Sequence, residues 1–198
     1  MLELVGFVIA IGRNGLGILG YYTQESNLFL LIATGIYLYY LLAKKEVPSW
    51  AARLKYIATC LVAVTFIVVV LVLAPMCLPN VKYAVYVIVG GANFFHHLTC
   101  PVLAIVSFFA CEVELIPTTR DAVIAMMPTL LYAIVTTTLN AAKVIVGPYP
   151  FLHVYEQPVI VSVLWFIIIP GGGFLFAYLV SKVKKKISKK KSLSVESK

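Results

Sequence analysis

Residues 56–78 read Tyr-Ile-Ala-Thr-Cys-Leu-Val-Ala-Val-Thr-Phe-Ile-Val-Val-Val-Leu-Val-Leu-Ala-Pro-Met-Cys-Leu, with no charged side chain among them. A run of about 20 apolar residues is what a helix needs to cross the hydrocarbon of a bilayer. Inside lipid, every backbone amide and carbonyl must be satisfied within the segment, and a helix does this without a partner. The stretch is therefore read as a membrane-spanning helix.

Outward from it the pattern recurs. Further apolar runs cover residues 2–19, 26–43, 83–109, 122–146 and 158–180. Arg13 and Asn14 interrupt the first of these, and Pro170 with glycines 171–173 interrupts the last, where a kink or an unwound turn is expected. The fold class predicted is all-α, a polytopic membrane bundle of about six transmembrane helices over residues 1–181. Composition agrees: the chain is 62% hydrophobic and 12% charged, with mean hydropathy +0.98, where a soluble domain is about 45–50% apolar and about 25% charged.

Loop charges orient the bundle. Lys44, Lys45, Arg53 and Lys55 flank the second connection, whereas the third and fifth hold only Lys82 and Lys143 between them. By the positive-inside rule both termini are cytoplasmic. Residues 182–198 carry eight of the sixteen basic residues and read as a low-complexity, disordered polybasic tail. Its lysines serve as a topology signal or lie against anionic headgroups, at roughly 1 kcal/mol each. Because the charge gathers directly after a span, the net +8 does not point to nucleic acid; membrane lipids are the expected partners. Cys60, Cys77, Cys100 and Cys111 show no CxxC spacing, so neither a disulfide framework nor a zinc knuckle is expected, and no cofactor is implied.

Polar residues inside lipid are costly and mark sites. One cluster, residues 20–27, opens the second span; Thr23 and Asn27 share a helix face, with Tyr22 and Ser26 as an adjacent pair. Thr23 or Ser26 could simply cap the helix. The other cluster holds Asn93, His96, His97, Cys100 and Pro101 in mid-membrane. Adjacent histidines point about 100° apart, so only one faces the interior. The imidazole has three readings: a hydrogen bond between helices, a metal ligand, for which adjacent histidines are poorly spaced, or a general base. On a straight fourth helix His97 lies roughly 21 Å below its outer end, which sets it apart from Thr23.

Taken in order, Tyr21-Tyr22-Thr23-x-x-Ser26-Asn27, His97 four residues before Pro101, and Gly147-Pro148-Tyr149-Pro150-Phe151-Leu152 resemble the bacterial branch of the androgen-induced membrane protein family. The resemblance implies six spans and location in a bacterial cell membrane. It also implies hydrolysis of fatty-acid esters of hydroxy fatty acids, with Thr23 as nucleophile and His97 as base. His96 is the fallback base, because the animal members place their histidine one residue further from the proline. Tyr22, Ser26, Asn27, Asn93 and Tyr149 are the expected substrate-binding residues. One departure is Ser107, where bacterial relatives often carry an acid; Glu112 is the nearest carboxylate beyond it. A histidine without an orienting carboxylate is a weaker base.

Two rivals stand beside the hydrolase. One is a non-catalytic protein binding a lipid or small molecule. The other is an acyltransferase in which Cys100, three residues after His97, accepts the chain. The loop aromatics Tyr149, Phe151 and Tyr155, with His153, read as interfacial anchors or as a lid.

Overall fold

The computed structural model describes residues 1–196, with side-chain surroundings through Lys189; Ser197 and Lys198, the end of the expected tail, lie outside the described residues. The fold is all helical among these residues. In chain order α1 is Leu2–Asn14, followed by a 3₁₀ turn at Leu16–Gly20. Then come α2 (Tyr22–Leu42), α3 (Ser49–Met76), α4 (Val81–Val89), α5 (Phe94–Ala110), α6 (Thr119–Ala141) and α7 (Val159–Glu196). Four of them, α2, α3, α6 and α7, are long and apolar enough to cross a membrane, and α4 with α5 makes a fifth if the bent pair is one span. These helices fit an integral membrane protein. Leu71, Val163, Ile167 and Ile168 are among many large apolar side chains left exposed, as suits a surface facing lipid.

The central helix is α3. Ala51, Ala58, Ala63 and Cys60 on it are fully buried, and such small side chains let neighbouring backbones approach closely in a membrane. Tyr56, Cys60 and Val64 meet Phe108 of α5, Ala122, Ala125 and Met126 of α6, and Ala177 and Val180 of α7. On another face Ala58 and Val62 meet Leu30 and Ala33 of α2 with Cys100 and Ala104 of α5. The break expected at Pro170 is absent: α7 runs helically through it and through glycines 171–173. The glycine has a packing reason instead. A Cβ on Gly173 would stand 2.6 Å from Met126 Sδ and 2.8 Å from Val64 Cγ2, so only glycine lets α7 seat against α3 and α6. Beyond Ser181 the same helix continues to Glu196.

The fourth apolar run is the one that departs most from a straight helix. It breaks at Gly90-Gly91, where Gly91 has φ +60°, and α4 meets α5 at 74°. The fourteen residues from Tyr83 to His97 therefore do not measure depth, and the separation expected between the histidines and the start of α2 disappears. Charged groups gather at one end of the bundle. There Lys55 pairs with Glu112 at 3.0 Å, Arg53 with Asp121 at 2.6 Å, and Lys184 donates to the carbonyls of Phe108 and Glu112 at the end of α5.

Candidate functional site

At the opposite end from those ion pairs, α2 begins four residues earlier than the sequence reading placed it. Its N-cap is Tyr21, without a side-chain cap bond, so neither Thr23 nor Ser26 caps the helix; both are buried inside its first turns. The hydroxyls there meet partners on other elements, whereas Gln24 Oε1 and Asn27 Oδ1 are buried without a hydrogen-bond partner among the described residues. Ser26 Oγ lies 2.9 Å from Thr65 Oγ1 of α3, and the Tyr22 hydroxyl lies 2.7 Å from Thr129 Oγ1 of α6. The Tyr149 hydroxyl accepts from the Thr23 amide at 3.2 Å and lies 3.3 Å from Thr23 Oγ1.

These hydroxyls stand on the wall of a cavity between α2, α3, α6 and α7. The space open to the centre of a water molecule is about 60 Å³, several times what one water needs. Tyr22, Thr23, Thr65, Thr129, Tyr132, Thr137, Tyr149 and Ser162 supply its hydroxyls, and Val64, Val68, Phe166, Trp165 and Ile169 much of its apolar wall. The loop after α6 forms one wall of it: Tyr149, Phe151, Leu152 and Val154 all line the space. Tyr149 stacks on Phe151 with centroids 5.2 Å apart, and Phe151 leans on Trp165. Burial pushes the Tyr149 phenol up to about 12, partly offset by its bonds to Thr23. It stays a neutral hydroxyl through the physiological range.

The histidines divide as adjacent helical residues must. His96 is fully buried and faces α1: its Nε2 lies 3.4 Å from the Glu3 carbonyl and 3.6 Å from Glu3 Oε2, and Phe7 packs at 4.7 Å between centroids. A Cβ on Gly6 would fall 2.3 Å from His96 Nε2, so the imidazole rests directly on the α1 backbone. His97 Nδ1 bonds the Val87 carbonyl at 2.6 Å, and Asn93 Nδ2 donates to the Tyr86 carbonyl at 3.3 Å. That pair shares a face as expected, and it serves the last carbonyls of α4: His97 bonds that of Val87, and Asn93 adds a second donor to that of Tyr86, which already accepts from the Gly90 amide at 2.7 Å.

Asn27 connects the two clusters. Its Nδ2 donates to the Thr23 carbonyl at 2.7 Å and the His96 carbonyl at 3.1 Å. The second bond has a backbone cause. Residues Phe94–Thr99 form a π turn, and the Cys100 amide bonds the Phe95 carbonyl, five residues back. In that register the next donor, to His96, falls to Pro101, which has no N–H. The side chain of Asn27 takes its place.

The structure thus brings together Tyr22, Thr23, Ser26, Asn27 and Tyr149, with His96 reached through Asn27. It sets His97 and Asn93 against α4. Among the described residues neither imidazole hydrogen-bonds Thr23 Oγ1. Ser107 does find a carboxylate, Glu112 Oε1 at 3.0 Å, but at the ion-pair end of α5. Cys100 lines a separate groove with Glu3, Leu30 and Ala104. Sequence reasoning missed Glu3 as the carboxylate beside a histidine, and Thr65, Thr129 and Tyr132 as cavity hydroxyls. The available signal was an acid or hydroxyl inside an apolar run. Family models, curated proteins and solved structures offer no match to the chain.

Proposed function

We propose that this chain is an integral membrane protein, of a bacterial cell membrane on the resemblance above, that holds the polar end of a lipid in the cavity under Tyr149. The observation that carries it is a set of neutral hydroxyls on the wall of an otherwise apolar space within an apolar bundle. Pockets that bind small apolar ligands combine such walls with a few placed polar groups. A space of this size accommodates the head and first carbons of a lipid, not a whole molecule. Native mass spectrometry of the protein extracted in a mild detergent tests the reading. A retained lipid that is lost in Thr23→Val/Tyr149→Phe supports it; retention indifferent to those changes refutes it.

A second reading is favoured by Thr23 itself, the residue matching the family's nucleophile, which stands on the cavity wall. As an ester hydrolase, Thr23 Oγ1 attacks the ester carbonyl, the alcohol leaves, and water then releases the acid from the threonine. The hydroxyl needs a base to take its proton. Its hydrogen-bond partner is the neutral Tyr149 phenol, and His96, linked through Asn27, is the imidazole this reading uses. Binding without turnover asks nothing more of the geometry and is the better supported. Labelling by an acyl fluorophosphonate, with the modified residue mapped, separates the two: modification at Thr23 that vanishes in His96→Ala establishes the hydrolase.

The six-span layout belongs to the same proposal. From α2 onward the chain alternates direction, with Lys55, Glu112 and Lys184 meeting at one end. Helix α1 is 13 residues and the following turn 5, about 20 Å and about 10 Å by their rises. End to end they match a hydrocarbon core of about 30 Å. Counting them as the first crossing puts both termini on the lysine-rich, cytoplasmic side.

A further inference from the structure

The cavity's chemistry goes further than its apolarity, because none of the residues lining it is charged. Its hydroxyls are also largely committed to one another. Tyr132 donates to the Gly20 carbonyl, and Tyr22 is shared between Thr129 and the Leu61 carbonyl. Thr23 and Tyr149 share one hydrogen bond between two hydroxyls, while the Tyr149 oxygen already accepts from the Thr23 amide. Each hydroxyl carries one hydrogen, so this pair has one hydrogen left to offer. Elsewhere on the wall Thr137, Ser162 (whose oxygen accepts from Gln157 Nε2) and the Trp165 indole add only neutral donors, and an oxygen acceptor at Thr23 needs only one. A carboxylate or phosphate instead calls for several donors and a counter-charge when it leaves water. Glu25, in the first turn of α2, is an acidic neighbour of Tyr149 and adds no positive charge to this side of the cavity.

Resting on the lipid-binding reading, we infer that the cavity selects lipids whose head is an uncharged oxygen group, an ester, ketone or hydroxyl, and rejects free carboxylates and phosphates. Thr23 and Tyr149 are the specificity-determining pair. The apolar wall accepts the first carbons of a chain of either kind, so discrimination falls on the head alone. An ester-linked substrate of the hydrolase reading enters with its ester at Thr23, and any free carboxylate it bears elsewhere stays outside.

The chain has two tryptophans, Trp50 and Trp165. Trp165 lines the cavity, whereas Trp50 is half exposed at the start of α3 and packs edge-on against Tyr40. Trp50→Phe keeps an aromatic ring there and leaves Trp165 as the sole reporter. The probes are methyl dibromostearate and dibromostearic acid, whose bromines quench indole fluorescence on contact, titrated into the full chain in maltoside micelles at about pH 9, where the acid is ionised. The ester is expected to quench saturably at a concentration about tenfold or more below the acid, with the advantage shrinking severalfold in Tyr149→Phe. Equal or tighter quenching by the acid overturns the head-group inference while leaving the cavity a lipid site. Absence of saturable quenching by either probe overturns the binding reading, and this inference with it.

Discussion

Asn27→Leu removes the amide that bridges α2 to the π turn while keeping a side chain of similar volume. The bond to Thr23 matters little, since that carbonyl also accepts from Ser26 Oγ at 3.1 Å. The bond to His96 matters more, because Pro101 leaves that carbonyl without a backbone donor in this register. A bridging bond in a membrane protein averages about 0.6 kcal/mol and reaches about 1.7; a buried acceptor left unpaired costs about 1–3 kcal/mol. The sum expected is about 2 kcal/mol, which for a chain of this size lowers Tm by roughly 4–8 °C. The sharper measurement is a double-mutant cycle with Pro101→Ala. Alanine restores an N–H at the position that can serve His96, so in that background Asn27→Leu should cost only about 0.5 kcal/mol, a coupling of about 1.5 kcal/mol. Unfolding in mixed micelles of the four proteins reads it. If Asn27→Leu costs the same in both backgrounds, within about 0.5 kcal/mol, Asn27 does not stand in for the missing amide and the account of the bridge is wrong.

Lys55→Met and Glu112→Gln should each destabilise by about 3–5 kcal/mol, because each leaves a buried partner unpaired, while Lys55→Met/Glu112→Met recovers much of the loss; additive losses in unfolding titrations would refute pairing. Gly6→Ala should cost about 1–3 kcal/mol by driving a methyl into His96, whereas Gly12→Ala, with nothing within 4 Å of its Cβ, should be neutral or stabilising; equal melting temperatures would exclude the close approach of α1. In a cysteine-free background, cysteines at Ser192 and Tyr155 should react with an impermeant maleimide from opposite faces of sealed vesicles. Reaction from the same face refutes the proposed layout.

Four of the spans, and a fifth as a bent pair, were legible because lipid imposes a length and forbids charge, and both constraints can be read off one residue at a time. The start of α2 was not. Tyr22 and Thr23 fell outside the apolar run that begins at Ser26; they are helical, with Thr23 buried, because Thr129 and Tyr149 come from elsewhere in the chain to meet them. The break in the fourth run had a signal in Gly90-Gly91, yet a glycine pair in an apolar stretch also suits close packing, which is what Gly173 does in α7. That only one histidine faces the interior followed from 100° per residue. Which one did not follow, since the π turn before Pro101 re-phases the helix, and Glu3 reaches His96 across 93 residues of sequence.

The distribution of charge across the bundle bears on what it carries. Lys55, Glu112, Arg53, Asp121 and Lys184 are buried or half-buried at one end, each with a named partner of opposite charge or a carbonyl. Such pairs hold helices together where both members are desolvated, and they offer little to a ligand because their bonding is already satisfied. Under Tyr149 the solution is the opposite: uncharged donors only, several of them already bonded within the protein. Had that space evolved for an anion, a lysine or arginine on its wall would be the cheap device, and the chain has sixteen. None lines it. On the lipid-binding proposal the two ends divide the work: ion pairs join helices at one, and uncharged donors meet the ligand at the other.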